Sequence, residues 1–151
     1  GQLIDRVGVA LGFPFPCGRF IDELAIAYDG KRMTLPTYTD SEKCSFSGTE
    51  AAAMRAVEKG ASKSVMAEAV MDAITRTLCA MITEAALKTG CFTCLVSGGV
   101  ASSKYLRAAL QGELAKENKS LRVYFARPEL SADNACGVAI IARNIYMGGK
   151  R

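Results

Sequence analysis

The stretch Cys91-Phe92-Thr93-Cys94-Leu95-Val96-Ser97-Gly98-Gly99-Val100-Ala101-Ser102-Ser103 decides the fold. An apolar run over 92–96 stops at Ser97-Gly98-Gly99. From about Ser102 a helical pattern places Tyr105, Leu106, Ala109 and Leu110 on one face. The spacing predicts a strand, a tight glycine turn and a helix. Glycine lacks a Cβ, so the backbone takes positive φ and a ligand can come close. The amides at the helix start suit an anion or a polar ligand edge. A plain strand-to-helix connection needs the same residues, so the turn alone assigns no function.

Towards the C-terminus, the helix is expected to run to about Glu117, followed by a strand over 121–125 and a loop over 127–130. Ser131-Ala132-Asp133-Asn134-Ala135 then opens a last helix rich in small residues, with Asp133 at the entrance, where aspartate commonly caps. Towards the N-terminus, Ser62 begins the longest helix, 62–88. Its apolar stripe includes Val65, Ala69, Met71, Ile74, Leu78 and Met81, and Gly90 is its C-cap. Ser47 and Glu50 form a capping box for a helix to about Glu58. Short strands are expected over 33–35 and 43–46, as a hairpin.

The chain opens with a short amphipathic helix (Leu3, Ile4, Val7, Ala10, Leu11) stopped by Gly12. Phe13-Pro14-Phe15-Pro16-Cys17-Gly18 is a rigid turn, because proline fixes φ. A second helix over 19–28 turns Phe20, Ile21, Leu24 and Ala25 inward. Asp22 falls in its first turn, where a carboxylate favours the helix dipole. Asp5, on the polar side of the first helix, reads as surface charge.

Composition narrows the class. The 151 residues are 50% hydrophobic and 23% charged with a net charge of +4, which describes one globular domain and not a disordered or strongly basic chain. The cations are scattered, so nothing in the charge pattern argues for a polyanion. Six cysteines show no disulfide or zinc-ribbon spacing, and histidine is absent. They are expected to be reduced, mostly buried thiols of a cytoplasmic protein. No apolar run approaches membrane-spanning length.

These elements make an α/β fold, a mixed sheet flanked by helices. Ligands in such sheets bind at the carboxyl ends of the strands, and Gly98, Gly99 and Asp133 all fall at that edge.

The order of motifs also resembles a known family. Gly1-Gln2-Leu3-Ile4-Asp5-Arg6 with Gly12-Phe13-Pro14-Phe15-Pro16-Cys17-Gly18 resembles the G-E-x-x-D-K and L-G-x-x-Y-P-G-G elements of the tRNA N6-adenosine threonylcarbamoyltransferases, formerly called O-sialoglycoprotein endopeptidases or glycoproteases. Cys44-Ser45-Phe46-Ser47-Gly48-Thr49 resembles their F-S-F-S-G-L-K. Leu95 to Ala101 resembles the G-G-V-A-A-N element, and Pro128 to Ala135 the P-x-x-x-C-T-D-N-A-A element.

The resemblance implies an actin-like ATPase (ribonuclease H-like) fold, with 1–151 as the second of two lobes and incomplete without the first. It implies that Asp5, Gly18, Asp22, Gly98, Gly99 and Ser103 bind an adenine nucleotide or its threonylcarbamoyl adduct, and that Asp133 is one ligand of a divalent metal (iron, zinc or magnesium). It also implies tRNA, the first lobe and accessory subunits as partners, and a homodimer through helix faces is a further expectation. The departures are Ser103 for the family's asparagine, Glu50 for its lysine and Cys17 for its first glycine. They leave a diverged, non-catalytic nucleotide- or partner-binding module as the alternative. A protease, as the older name suggests, has no histidine here to activate a serine or cysteine.

Overall fold

The computed structural model describes residues 1–40, 43–117, 120–131 and 135–148. The element order is α1 (Gln2–Ala10), α2 (Gly18–Ala27), β1 (Tyr38–Thr39), β2 (Cys44–Ser45), α3 (Ser47–Glu58), α4 (Lys63–Thr89), β3 (Thr93–Val96), α5 (Lys104–Glu117), β4 (Arg122–Phe125) and α6 (Ala135–Gly148). Short 3-10 turns follow β3 (Val100–Ser102) and β4 (Pro128–Leu130).

The longest element is α4, and its length follows from its ends. Ser62 Oγ accepts the Val65 N–H at 3.3 Å, and Gly90 closes the helix at φ 70°. Met66, Ala67, Ala69, Val70, Met71 and Ala73 are all buried, so this half of α4 is covered on nearly every side. Around it pack α2 (Ile21, Ala25), α1 (Leu3, Ile4, Val7), α3 (Ala53) and α5 (Leu106, Leu110, Leu114). Each fully buried leucine, isoleucine or methionine contributes roughly 1.5–3 kcal/mol of transfer free energy. The small residues of α4 let the neighbouring helices come close.

The strands form two separate two-stranded sheets, not one mixed sheet. β1 and β2 are an antiparallel hairpin, with Tyr38 opposite Ser45. β3 and β4 are parallel, pairing Thr93 with Arg122 through Val96 with Phe125, and α5 is their crossover. The residues expected as a strand at 33–35 form none. Leu35 is buried, but its carbonyl accepts from Arg76 Nη2 at 2.7 Å. Pro36 then removes the next N–H. The ladder starts only at Tyr38. One face of β3–β4 packs on the core through Val96, Val123 and Phe125, while Leu95 and Tyr124 remain exposed on the other. The apolar side chains of α6 (Val138, Ile141, Ile145, Met147) are exposed too. No helix among the described residues is long and apolar enough to cross a membrane.

Two further expectations change. Ser47 does not cap α3: the N-cap is Phe46, with no side-chain cap, and the Glu50 N–H bonds the Phe46 carbonyl at 2.8 Å. The Glu50 side chain is drawn to Arg6 instead. The five cysteines whose burial is described are not mostly buried either. Cys17 and Cys79 are buried, Cys44 and Cys91 exposed and Cys94 intermediate. Burial, and then the Glu117 charge, push the Cys79 thiol up to about 11 from 9.0. Burial, and then Asp5, also raise Cys17.

Two outcomes follow from these thiols. Mass-spectrometric footprinting with iodoacetamide at mild pH should label Cys44 and Cys91 quickly. It should leave Cys79 about 100-fold slower, and Cys17 slower too, because the thiolate is the nucleophile. The raised folded value makes the neutral Cys79 thiol a stabilising group. Its contribution is complete below about 9 and is lost as pH rises through about 11. Alkaline denaturation monitored by circular dichroism should therefore come at higher pH in Cys79→Ser, whose hydroxyl does not titrate there.

Candidate functional site

The chain leaves β3 at Val96 and turns at Gly98, whose φ is 110°, a left-handed value that disfavours any residue with a Cβ. The 3-10 turn follows, and α5 begins at Lys104, not at Ser102 as the pattern suggested. The delay has a cause: Ser103 caps the helix. Its Oγ accepts the Leu106 N–H at 3.0 Å and donates to Asp22 Oδ1.

Asp22 lies past the first turn of α2, since α2 starts at Gly18. It does not serve its own helix dipole. It serves the start of α5: Oδ2 accepts the Lys104 N–H at 3.0 Å and Oδ1 the Tyr105 N–H at 3.1 Å. Asp5 plays the matching part for α2. Its Oδ1 accepts the N–H of Cys17, the N-cap of α2, at 2.8 Å. It is thus a part-buried structural acceptor as well as a charge. Each of these aspartates organises the start of another helix.

The two helix starts face each other across a pocket of about 660 Å³. Asp5, Gly18, Asp22, Gly99 and Ser103 line it, together with Lys104, Arg19 and Met71. Gly98 stands just behind it in the turn. Five of the residues singled out from the sequence therefore share one concavity. Asp133 lies outside the described residues. A Cβ added at Gly18 or Gly99 would meet nothing within 4 Å among the described residues, so both glycines leave open space there. Asp5 Oδ2 keeps its full acceptor capacity, and Asp22 Oδ2 has one lone pair over. Ser103 has already used its only proton on Asp22, so towards a ligand it can only accept.

Sequence reasoning passed over Lys104 and Arg19. Each directly follows a residue that was singled out, and adjacency to Ser103 and Gly18 was the available signal. Arg19 is partly committed to Glu23 at 2.7 Å, and the Lys104 backbone N–H to Asp22.

On the other side of Val100 lies a second pocket of about 640 Å³, which Arg6, Glu50, Ser45, Ser47 and Ser97 help to line. Arg6 Nη1 reaches both Glu50 oxygens, at 2.9 and 3.2 Å, so the charge that replaces the family's lysine has a local partner. Glu50→Lys should cost about 0.5–1 kcal/mol in urea unfolding, since the pair is solvent-exposed and a like-charge contact replaces it.

The described residues contain no group of three or more histidine, cysteine, aspartate or glutamate side chains able to hold a metal. The chain has no histidine. They do not fit a complete metal centre. The pocket is a concavity with open glycines and free carboxylate lone pairs, and Lys104 and Arg19 are among its lining residues.

Comparison with known proteins agrees with the motif order. The sequence profile of the tRNA N6-adenosine threonylcarbamoyltransferases matches residues 1–140. Proteins of that name from Anaeromyxobacter sp. (strain Fw109-5) and Geobacillus kaustophilus (strain HTA426) are 30% and 31% identical over 100% of this chain. One from Desulforapulum autotrophicum is 30% identical over 99% of it. The chain spans under half the length of these relatives, 46–47%. A profile match over most of the sequence, together with relatives 30–31% identical over the whole chain, makes this chain a member of the tRNA N6-adenosine threonylcarbamoyltransferase family.

Proposed function

We propose that this chain is the nucleotide-binding lobe of a threonylcarbamoyltransferase-like protein, with the pocket between the starts of α2 and α5 taking the adenosine part of the ligand. The supporting observation is convergence: Asp5 of α1, Gly18 and Asp22 of α2, and Gly99 and Ser103 of the glycine turn line one pocket. In this reading Asp5 Oδ2 accepts a ribose hydroxyl, Gly18 and Gly99 let the ligand approach the backbone, and Ser103 accepts from the adenine amino group. A metal held in part by Asp133 would polarise the carbamoyl carbonyl, and the remaining ligands would come from a first lobe. That lobe would also cover the apolar faces of α6 and of β3–β4. With tRNA as the acceptor, the whole assembly would carry out the transfer.

Enclosure supplies most of a ligand's buried surface, and in this reading the facing wall of the cleft would come from the first lobe. Binding of ATP by the isolated chain should therefore be weaker than about 1 mM, or roughly −4.1 kcal/mol. The test is a titration to about 10 mM ATP, followed through backbone amide chemical shifts. Shifts should concentrate at Gly18, Gly99, Ser103 and Lys104 and shrink in Gly99→Ala. That variant should fold normally, because its new Cβ enters open space. Shifts scattered elsewhere would refute the assignment. Threonylcarbamoyl transfer to tRNA by this chain alone should be absent in nucleoside mass spectrometry.

A second reading is favoured by Ser103, whose proton is consumed internally. A diverged module that keeps the fold and binds a partner would show no ATP shifts even with the first lobe of a relative supplied.

A further inference from the structure

Arg107 stands one turn into α5, part-buried, and its guanidinium has no carboxylate partner among the described residues. It is spent on two backbone carbonyls. Nε donates to Ala101 O at 2.7 Å and Nη2 to Ala126 O at 2.6 Å. The guanidinium carbon lies 5.1 Å from the centre of the Phe125 ring, a cation–π distance. Ala101 belongs to the 3-10 turn that continues the glycine turn. Ala126 is the first residue after β4, and its own N–H bonds the Val96 carbonyl at 3.0 Å. One planar fork thus joins the glycine turn to the segment that runs from β4 towards Asp133. Removing a permanent charge from water without an opposite charge is costly, so these short bonds and the ring must compensate. Lysine has a single point of donation and cannot hold both carbonyls in one plane.

We propose that Arg107 is the positioning residue of the candidate site. It fixes the spacing between the glycine turn and the 126–131 segment, and thereby the shape of the pocket wall at Gly99 and Ser102. It touches no ligand itself. The consequence for ligand binding rests on the nucleotide reading above, but the tether does not.

Amide hydrogen exchange by mass spectrometry on wild type, Arg107→Lys and Arg107→Met, without nucleotide, tests the tether. In both variants peptides covering 99–103 and 126–131 should exchange about tenfold faster or more, while α1 and α4 peptides keep their protection. Methylguanidinium added to Arg107→Met should restore part of the local protection. A generic loss of packing would not respond to it. Unchanged exchange in those two segments would overturn the proposal, as would acceleration spread evenly over the core. If Arg107→Met does not fold, the lysine variant decides by the same criterion. An ATP titration of Arg107→Lys is the separate arm. Local exchange with unaltered ATP shifts would keep the tether and refute its role in the site.

Discussion

Gly8→Ala should destabilise the protein by about 3 kcal/mol, even though alanine is the better helix former by roughly 0.5–1 kcal/mol. A Cβ at Gly8 would lie 2.3 Å from Cys17 Cβ and 2.7 Å from its Sγ. Cys17 cannot swing away. It is fully buried, its Sγ approaches the Pro14 carbonyl at 3.5 Å, and its N–H is held by Asp5. The change must therefore separate α1 from α2. The double variant Gly8→Ala/Cys17→Gly supplies the control. Removing the Cys17 side chain vacates the colliding atoms, so the pair should show a favourable coupling of about 2 kcal/mol in a double-mutant cycle by urea unfolding. A coupling near zero would mean that the α1–α2 contact is looser than the structure has it. Cys17 occupies the place of a glycine in the family motif, so Gly8 offers the compensating space.

Asp22→Ala should have a comparable effect, about 3 kcal/mol, with a different signature. It strips the acceptor from the Ser103 hydroxyl and from the Lys104 and Tyr105 amides at once. Loss of a cap alone costs about 0.5–2 kcal/mol, and hydrogen bonds to a charged group are worth about 1.5–3 kcal/mol. The damage should be local: amides 104–106 should lose exchange protection first, with α4 following only on global unfolding. Asp22→Asn should recover about half, because an amide offers one acceptor oxygen but turns an N–H towards a donor. If Asp22→Ala unfolded no more easily than wild type, Asp22 would be a ligand group with no part in the frame.

The sequence was most legible where the signal was local. Glycine stops and apolar periodicity placed α1, α2, α4 and α5 to within a residue or two. Ser97-Gly98-Gly99 placed the turn. The errors came where a distant side chain won. Arg76, from α4, took the Leu35 carbonyl that a strand would have used. Arg6 took the Glu50 side chain that a capping box needed. Asp22, read as stabilising its own helix, caps one more than eighty residues away in sequence. None of these partnerships leaves a periodic trace. The separation of the sheets was illegible for a related reason, because two-residue strands carry no alternation to read. Of the seven site residues singled out, Asp5, Gly18, Asp22, Gly99 and Ser103 line one pocket, Gly98 does not and Asp133 lies outside the described residues; the hydrogen bonds that tie Asp22 to Ser103 were not legible.

The relay in which Asp5 serves the start of α2 and Asp22 the start of α5 also bears on how such a chain evolves. Each acid is held in place by the need to start a helix, whether or not a ligand ever enters the pocket. Purifying selection for folding alone would preserve both, along with Ser103 as the partner of Asp22 and Gly98 for its backbone angle. Drift away from chemistry would first show at Gly99 and Gly18, where no described residue lies within 4 Å of an added Cβ. Glycine at those two positions is thus the more sensitive record of a working pocket, and the aspartates are a record of the scaffold.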